Sequence, residues 1–218
     1  SVVMSTGVAS ISSDADSAYK VHGWLMFVAW GVFVPAGVLS ARWLKGLKPG
    51  LWLKLHQAFN ALAMLLMIIG LAIIINKTED EGLEHFHQTH TVTGIVAIAL
   101  AVLQPLNGFL RPPKPEDPSE MASTPRRVWE VSHRVVGVTA EVLAVITLFS
   151  GVHEIARRGL SESKEDKLRV GLIVWVAALA AAVAAREAVT LLRPSPPPGA
   201  GEDAEMAVNK GPQPATVG

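Results

Sequence analysis

Residues 21–41 of this chain read VHGWLMFVAWGVFVPAGVLSA, an uncharged and mostly apolar run that decides the fold class. A helix needs about 20 mainly apolar residues to cross the hydrocarbon core of a bilayer. The run therefore predicts a membrane-spanning helix. Its second residue is His22, and an ionisable side chain inside such a segment indicates a functional site.

Four further apolar runs predict four more spanning helices. They cover residues 55–76, 85–110, 135–153 and 170–185. The fourth run is long enough if its helix starts near Val128 and tolerates Arg134 and Glu141, and the fifth if its helix continues to Leu192. We therefore expect an all-α integral membrane protein with five transmembrane helices.

The segments outside these runs differ in composition. Residues 1–20 are polar and rich in serine, and we expect a polar extracellular linker there. We expect a loop and the fifth helix over 156–192, and a disordered cytoplasmic tail over the proline-rich, glycine-rich and acidic residues 193–218. Residues 77–84 predict a compact acidic loop, and residues 157–169 a mixed-charge loop.

Composition excludes several classes of protein. Hydrophobic residues make up 50% of the chain and charged residues 17%, whereas a soluble domain carries about 25% charged residues. The formal net charge is zero, so nothing indicates nucleic-acid binding, and the absence of cysteine excludes disulfides, iron–sulfur clusters and thiolate-ligated haem. The chain begins with serine and no basic segment precedes the first apolar run, so we expect a processed protein or an excised domain.

Four histidines lie near the starts of four different apolar segments. They are His22, His56, His90 and His133. Because successive spans run in opposite directions, the topology pairs the first and third histidines at one membrane face and the second and fourth at the other. Neutral imidazole is an axial ligand of haem iron, so the pattern predicts two bis-histidine haems, at levels very roughly 20 Å apart. The alternative is that the histidines are hydrogen-bonded or interfacial residues without a metal. Four histidines at matched depths, two near each membrane face, make this alternative less favourable.

The basic residues predict the orientation. One side of the predicted bundle carries Arg42, Lys45, Lys48, Lys54, Arg111, Lys114, Arg126 and Arg127. Cytoplasmic loops of membrane proteins are enriched in lysine and arginine, so we expect this side to be cytoplasmic, the N-terminus to be extracellular or lumenal, and the C-terminus to be cytoplasmic. The basic residues within 157–169 argue the other way.

Several short motifs carry a family resemblance. They are His22-Gly-Trp-Leu-Met26 with Trp30-Gly31 and Pro35, Leu55-His56-Gln57, His90 with Gly94, Leu103-Gln104-Pro105 with Arg111-Pro112, and Trp129 with His133 and Gly137. In order and spacing they resemble the cytochrome b561 family from about His22 to Ile155. The closest branch is the ferric reductase-like one, in which this domain follows an extracellular DOMON domain.

The resemblance implies a four-helix di-haem core over residues 21–155. It implies two haem b groups, one on His22 and His90 and the other on His56 and His133. It also implies electron transfer from cytoplasmic ascorbate to monodehydroascorbate or a ferric complex outside. Two features depart from the family: no DOMON domain lies in these residues, and Glu141 stands where we expect a neutral residue.

Four basic residues at the mouths of helices two and four are candidates for substrate binding. They are Lys54, Arg126, Arg127 and Arg134. A cationic cluster there could bind ascorbate as the monoanion, pair with haem propionates, or simply follow from the positive-inside rule. The sequence leaves these three interpretations open.

Other polar residues have structural and functional interpretations. His85, His87 and His153, with acidic residues 79–84, could form a rim that receives ferric iron, although a solvated loop is favoured. His87 is a rival to His90 as a ligand. We expect Glu141 to be protonated or paired and to face the bundle. Gln104 and Asn107 predict hydrogen bonds between helices.

These patterns favour a transmembrane ascorbate-dependent oxidoreductase that works in a lipid bilayer. The first alternative is an electron-relay module that serves an attached or partnered DOMON domain. The second is a haem-free transporter that uses the histidines for protons. The sequence leaves open whether two copies of the chain form a homodimer.

Overall fold

The computed structural model of this protein describes residues 17–45, 50–83, 88–115, 120–158 and 161–192. Within these ranges the helices are α1 (Ser17–Trp43), α2 (Leu51–Asp80), α3 (Thr89–Phe109), α4 (Thr124–Arg157) and α5 (Glu162–Leu191). All five are long and apolar enough to cross a membrane. The described part of the chain contains no strand, which confirms the predicted all-α class.

Helix α1 contains a turn of π-helix at Ala29–Phe33 and returns to α geometry over Val34–Trp43. Pro35 lies just after this turn. Because proline lacks a backbone N–H, it cannot continue the regular hydrogen-bond ladder, and irregular turns are common at such points. Ala29 and Trp30 of this turn are buried, so the irregular segment lies in the core of the bundle.

The loops and helix ends follow local sequence signals. Helix α2 begins after Gly50, whose φ of 76° lies in the left-handed region that favours glycine. Helix α3 tolerates Pro105 in its interior and ends at Phe109. The Pro112-Pro113 pair follows, so this end of the helix is where the sequence predicts it.

Four helices extend beyond the apolar runs. Helix α1 begins at Ser17, so residues 17–20 of the expected linker are helix, while residues 1–16 of that linker and the expected tail over 193–218 lie outside the described residues. Residues 77–80 are the last turn of α2, residues 162–169 are helical, and α4 begins at Thr124. The expected loops over 77–84 and 157–169 are therefore partly helix. Charged pairs one turn apart support these extensions, since Lys77 lies 3.4 Å from Glu81 and Arg169 lies 2.8 Å from Glu165.

Helices α1 to α4 form a closed four-helix arrangement within the compact unit that ends at Arg169. Helix α1 packs along α2, α3 packs along α4, α2 contacts α3, and α4 contacts the π turn of α1. The buried residues are mostly small or sulfur-containing: Met26, Ala29, Trp30, Ala63, Met67, Ala97, Ala140 and Ala144. Small side chains let membrane helices approach closely. The second unit begins at Val170 and, among the described residues, holds the remainder of α5.

Large apolar side chains cover the outside of this bundle. On α4, Val128, Val131, Val135, Val138 and Val142 are each more than half exposed. An apolar exterior of this kind is costly in water and suits lipid.

Candidate functional site

The structure places the four candidate histidines in the two predicted pairs. The ring centroids of His22 and His90 lie 6.2 Å apart, with an angle of 83° between the ring planes. Those of His56 and His133 lie 6.4 Å apart at 61°. Each pair joins helices that come from different parts of the chain, α1 with α3 and α2 with α4.

The separation of the rings fits two imidazoles on opposite sides of one metal ion. With bonds of about 2 Å from nitrogen to metal and about 1 Å from that nitrogen to the ring centroid, the two centroids would lie about 6 Å apart. In the described ranges, no cluster of three or more histidine, aspartate or glutamate side chains could hold a metal ion. The ring separations therefore fit a haem, which two histidines would hold, better than a bare ion, which needs more protein ligands.

Three of the four histidines have a backbone carbonyl as the partner of Nδ1. His22 Nδ1 lies 2.9 Å from the Gly70 oxygen, His56 Nδ1 lies 2.9 Å from the Gly37 oxygen, and His90 Nδ1 lies 3.0 Å from the Thr147 oxygen. A carbonyl only accepts, so Nδ1 carries the proton and donates. The lone pair of Nε2 is then available for a metal, the arrangement that metal-bound histidines usually have.

His133 has side-chain partners instead. One end of the Gln104 amide lies 2.7 Å from its Nδ1. The Trp129 ring stacks on the imidazole, with the centroids 5.1 Å apart and the planes 17° from parallel. Trp129 Nε1 in turn donates to the Asn107 carbonyl at 2.7 Å. The ring of His133 is therefore fixed on one side by α3 and on the other by its own helix.

Comparison with known protein families identifies the bundle. The model of the eukaryotic cytochrome b561 family matches residues 21–157, which include all four histidines and helices α2 to α4 in full. The chain belongs to the cytochrome b561 family. Membership implies haem b and electron transfer across a membrane, and it agrees with the resemblance found in the sequence.

Relatives of this b561 chain are longer proteins. A cytochrome b561, DM13 and DOMON domain-containing protein of Arabidopsis thaliana is 38% identical over 175 residues, which cover 80% of this chain and 19% of the relative. Mouse ferric-chelate reductase 1 is 32% identical over 170 residues, which cover 75% of this chain and 27% of that protein. The chain thus spans about a fifth and about a quarter of these two relatives.

Glycines determine how closely the b561 helices approach the histidines. A Cβ on Gly151 would lie 2.9 Å from His90 Cε1, and a Cβ on Gly70 would lie 3.7 Å from His22 Nδ1. Gly94 and Gly137, which belong to the family motifs in the sequence, lie at the contact between α3 and α4 instead. A Cβ added at Gly94 would lie 3.2 Å from Thr147, and one added at Gly137 would lie 3.7 Å from Gln104.

The sequence did not indicate the main-chain partners. Gly37, Gly70 and Thr147 act through carbonyl oxygens, which every residue carries, so residue type gives no signal for them. Glycines inside helices were the available hint, because a glycine there costs helix stability and needs a packing reason. Gln104 was predicted to hydrogen-bond between helices, and in the structure its partner is His133.

The basic candidates at the His56–His133 end have different environments. Lys54, Arg127 and Arg134 are exposed. Arg126 is only 4% exposed, and its guanidinium donates to Glu130 at 2.8 Å and to the Pro112 carbonyl at 2.7 Å. Arg126 is therefore already bound within the protein.

Lys45 and Arg111, which were not among the predicted substrate residues, also lie at this end. Lys45 Nζ is 5.1 Å from the Trp52 ring centroid, and the Arg111 guanidinium is 5.8 Å from it. Arg111 also lies 5.6 Å from the Trp129 ring centroid. Burial, and then the positive charge of Lys114, lowers the pKa of Lys45. Positive charge is therefore crowded here beside the ring that stacks on His133.

Two other predictions from the sequence have different outcomes. Glu141 lies in α4, and its Oε2 is buried with no hydrogen-bond partner among the residues that the structure describes. His85 and His87 lie outside the described residues. His153 is exposed and its Nδ1 lies 3.6 Å from a carboxylate oxygen of Glu165, so it lies in a surface contact with that carboxylate.

Proposed function

We propose that this chain carries electrons across a membrane through two haem b groups, from cytoplasmic ascorbate to an acceptor on the other side. His22 and His90 would hold one haem, and His56 and His133 the other. The observation that carries the proposal is the pair of ring separations, 6.2 and 6.4 Å. Haem would supply the one-electron chemistry, while the polypeptide supplies ligands, spacing and apolar surroundings.

The His56–His133 end is assigned to the cytoplasm in this proposal. Lys45, Lys54, Arg111 and the basic residues of the first turns of α4 lie at that end, and the positive-inside rule supports the assignment. The N-terminus would then be extracellular or lumenal, and the C-terminus cytoplasmic.

Crowded cations support an anionic donor at this end. Glu130 pairs with Arg126, and its single negative charge also acts on Lys45 and Arg111. The cations around it exceed that one charge, so this end attracts an anion. Ascorbate at neutral pH is a monoanion, and it would bind beside Trp52 and Trp129. We assign Lys45, Arg111 and Lys114 to donor binding. Lys54, Arg127 and Arg134 would lie at the exposed edge, and Arg126 would hold the mouth of the site together.

The overall reaction balances as one-electron transfers. Each ascorbate would give up one electron and one proton at the cytoplasmic side and become monodehydroascorbate. A ferric complex outside would accept one electron and become ferrous. Alternatively, an external monodehydroascorbate would accept one electron and one proton. The ferric acceptor is supported by the likeness to ferric-chelate reductase 1.

The first test is a haem count per polypeptide together with a reduced-minus-oxidised spectrum in ascorbate. Two b-type haems that ascorbate reduces rapidly would support the proposal. Two haems that only dithionite reduces would keep the architecture and reject ascorbate as donor. A well-folded, colourless protein would reject the proposal and favour the haem-free transporter.

A relay to a DOMON domain is the second candidate function. Several relatives carry both domains in one chain, as their names state. In that case the haem on His22 and His90 would exchange electrons with a domain outside the membrane. Reduction of a purified DOMON domain by this chain, at a rate that exceeds reduction of a free ferric chelate, would favour the relay.

A further inference from the structure

Gln104 differs from the other short-range partners of the candidate ligands because it acts through a side chain. The side chains of Asn60 and Ser150 lie farther from Nδ1 of His56 and His90, at 3.4 and 3.5 Å. His22, His56 and His90 face main-chain carbonyls, which no substitution can remove. His133 faces an amide that comes from α3, across the interface from its own helix α4. The two histidine pairs are therefore supported differently.

The contact between Gln104 and His133 is held in place from both sides. Trp129 stacks on the imidazole, and its indole N–H is tied to the Asn107 carbonyl. Asn107 lies three residues after Gln104 on α3. The same helix thus positions the amide and, through Trp129, the ring that it contacts.

The orientation of the amide depends on the tautomer of His133. One end of the amide lies 2.7 Å from Nδ1 and 3.3 Å from the His133 carbonyl oxygen, and the other end lies 2.9 Å from the Gly137 nitrogen. With the amide nitrogen toward His133, all these contacts are hydrogen bonds, but Nδ1 is then an acceptor and the ring proton sits on Nε2. With the amide oxygen toward His133, Nδ1 donates and Nε2 is available for iron. The contacts with the Gly137 nitrogen and the His133 carbonyl oxygen are then not hydrogen bonds, so ligation of iron by Nε2 is what would favour this orientation.

We propose that Gln104 is a positioning residue for the cytoplasmic haem, whose amide oxygen accepts the Nδ1 proton of His133 and thereby sets the reduction potential of that haem alone. The inference rests on the proposed function, since it requires His133 as an iron ligand. An acceptor on Nδ1–H makes the imidazole a more basic ligand. A more basic ligand favours ferric over ferrous iron, so this hydrogen bond lowers the potential.

The test is a spectroscopic redox titration of both haems in the full chain, with haem counted in each variant. Gln104→Leu removes the acceptor and should favour the ferrous form of the His56–His133 haem by up to about tenfold, or about 59 mV for one electron. Gln104→Glu keeps an acceptor oxygen and should shift the potential in the opposite direction. The His22–His90 haem is an internal reference and should keep its potential.

Gln57→Leu is the matched control, because Gln57 is an exposed amide next to His56. It should leave both potentials unchanged. Equal shifts of both haems, or no shift in Gln104→Leu, would overturn the inference. If Gln104→Leu loses the cytoplasmic haem, retention in Gln104→Glu supports the inference and loss in both variants overturns it. A wild-type protein without two haems would instead reject the proposed function.

Discussion

Individual residues at the two histidine pairs have separable roles. His22 and His90 are supported by the Gly70 and Thr147 carbonyls, and His56 by that of Gly37. These contacts fix the tautomer through main-chain atoms. At these three histidines, substitutions can therefore act on the histidine itself and on the glycines that pack against it, whereas at His133 they can also act on the Gln104 side chain.

Alanine at one histidine should remove one haem. His90→Ala or His22→Ala should lose the haem on that side and keep the other, because the pairs share no ligand. The converse is expected for His56→Ala or His133→Ala. Haem content and the α-band of the reduced spectrum measure the outcome. If His90→Ala keeps two haems while His87→Ala loses one, the ligand assignment is wrong.

Substitution of Gly151 should reduce haem binding as strongly as substitution of a ligand histidine. A Cβ at this position would lie 2.9 Å from His90 Cε1 and 3.2 Å from its Nδ1, so Gly151→Ala should displace the ring and weaken haem binding at that pair. Gly108→Ala is the control, since a Cβ there meets nothing within 4 Å. Equal haem retention in the two variants would show that the ring has room to move.

At the scale of the helices, one carboxylate connects several helix ends. Tyr19 of α1 donates to Glu81 at 2.6 Å, just after the end of α2. Arg158, just after α4, lies 3.3 Å from the same carboxylate and 3.8 Å from the Tyr19 ring centroid. One carboxylate thus ties together the ends of three helices on the side opposite the cationic mouth.

Glu81 should make the stability of the protein depend on pH. The hydrogen bond from Tyr19, with Lys77 and Arg158 nearby, lowers the pKa of Glu81. A lowered pKa in the folded state contributes stability above the usual glutamate pKa of about 4.3, and the contribution is lost as the pH falls through the folded value. Glu81→Gln should therefore destabilise the protein at neutral pH by about 1 kcal/mol or less.

Thermal unfolding from pH 7 down to the acid range measures this difference. The difference in thermal stability between wild type and Glu81→Gln should disappear as the pH falls below the pKa of an ordinary glutamate. The exposed neighbour Glu79 is the control, and Glu79→Gln should match wild type throughout. A gap that persists in acid would mean that the carboxylate charge is not the cause.

The positions of the helices could be predicted from the sequence more accurately than their ends. Uncharged runs reveal the part of a helix that lies in lipid, but Lys77, Glu81, Glu165 and Arg169 continue or cap helices in water through pairs one turn apart. A scan for apolar residues treats these charges as loop. For the same reason, α4 begins at Thr124, earlier than the start near Val128 that the apolar run predicts.

At the scale of the whole molecule, the antiparallel order of α1 to α4 accounts for the pairing of the histidines. This pairing could be predicted because each histidine lies near the start of its helix and alternate helices start on the same side. The partners of Nδ1 could not be predicted, because they depend on which main-chain atoms of a neighbouring helix face the ring. Three of the four histidines nevertheless use the same kind of contact, a main-chain carbonyl at Nδ1.

Glu141 lies between these two levels along α4, after His133 and before Thr147. Its buried Oε2 lacks a partner within the described part of the chain, and an unsatisfied buried polar group costs about 1–3 kcal/mol. Glu141→Leu should therefore raise the thermal stability of the protein and leave the haem count unchanged. A decrease in stability, measured by unfolding in detergent, would show that the carboxyl group has a structural partner.

The π turn of α1 has a consequence for how the two sites are related. Helix α1 provides His22 before the turn and the Gly37 carbonyl after it, so a single rod serves both levels. A wide turn accommodates an extra residue, and each residue of a helix turns the following side chains by about 100°. The extra residue therefore rotates the part of α1 that carries the Gly37 carbonyl by about 100° relative to the part that carries His22, and one continuous helix contributes an atom to each site.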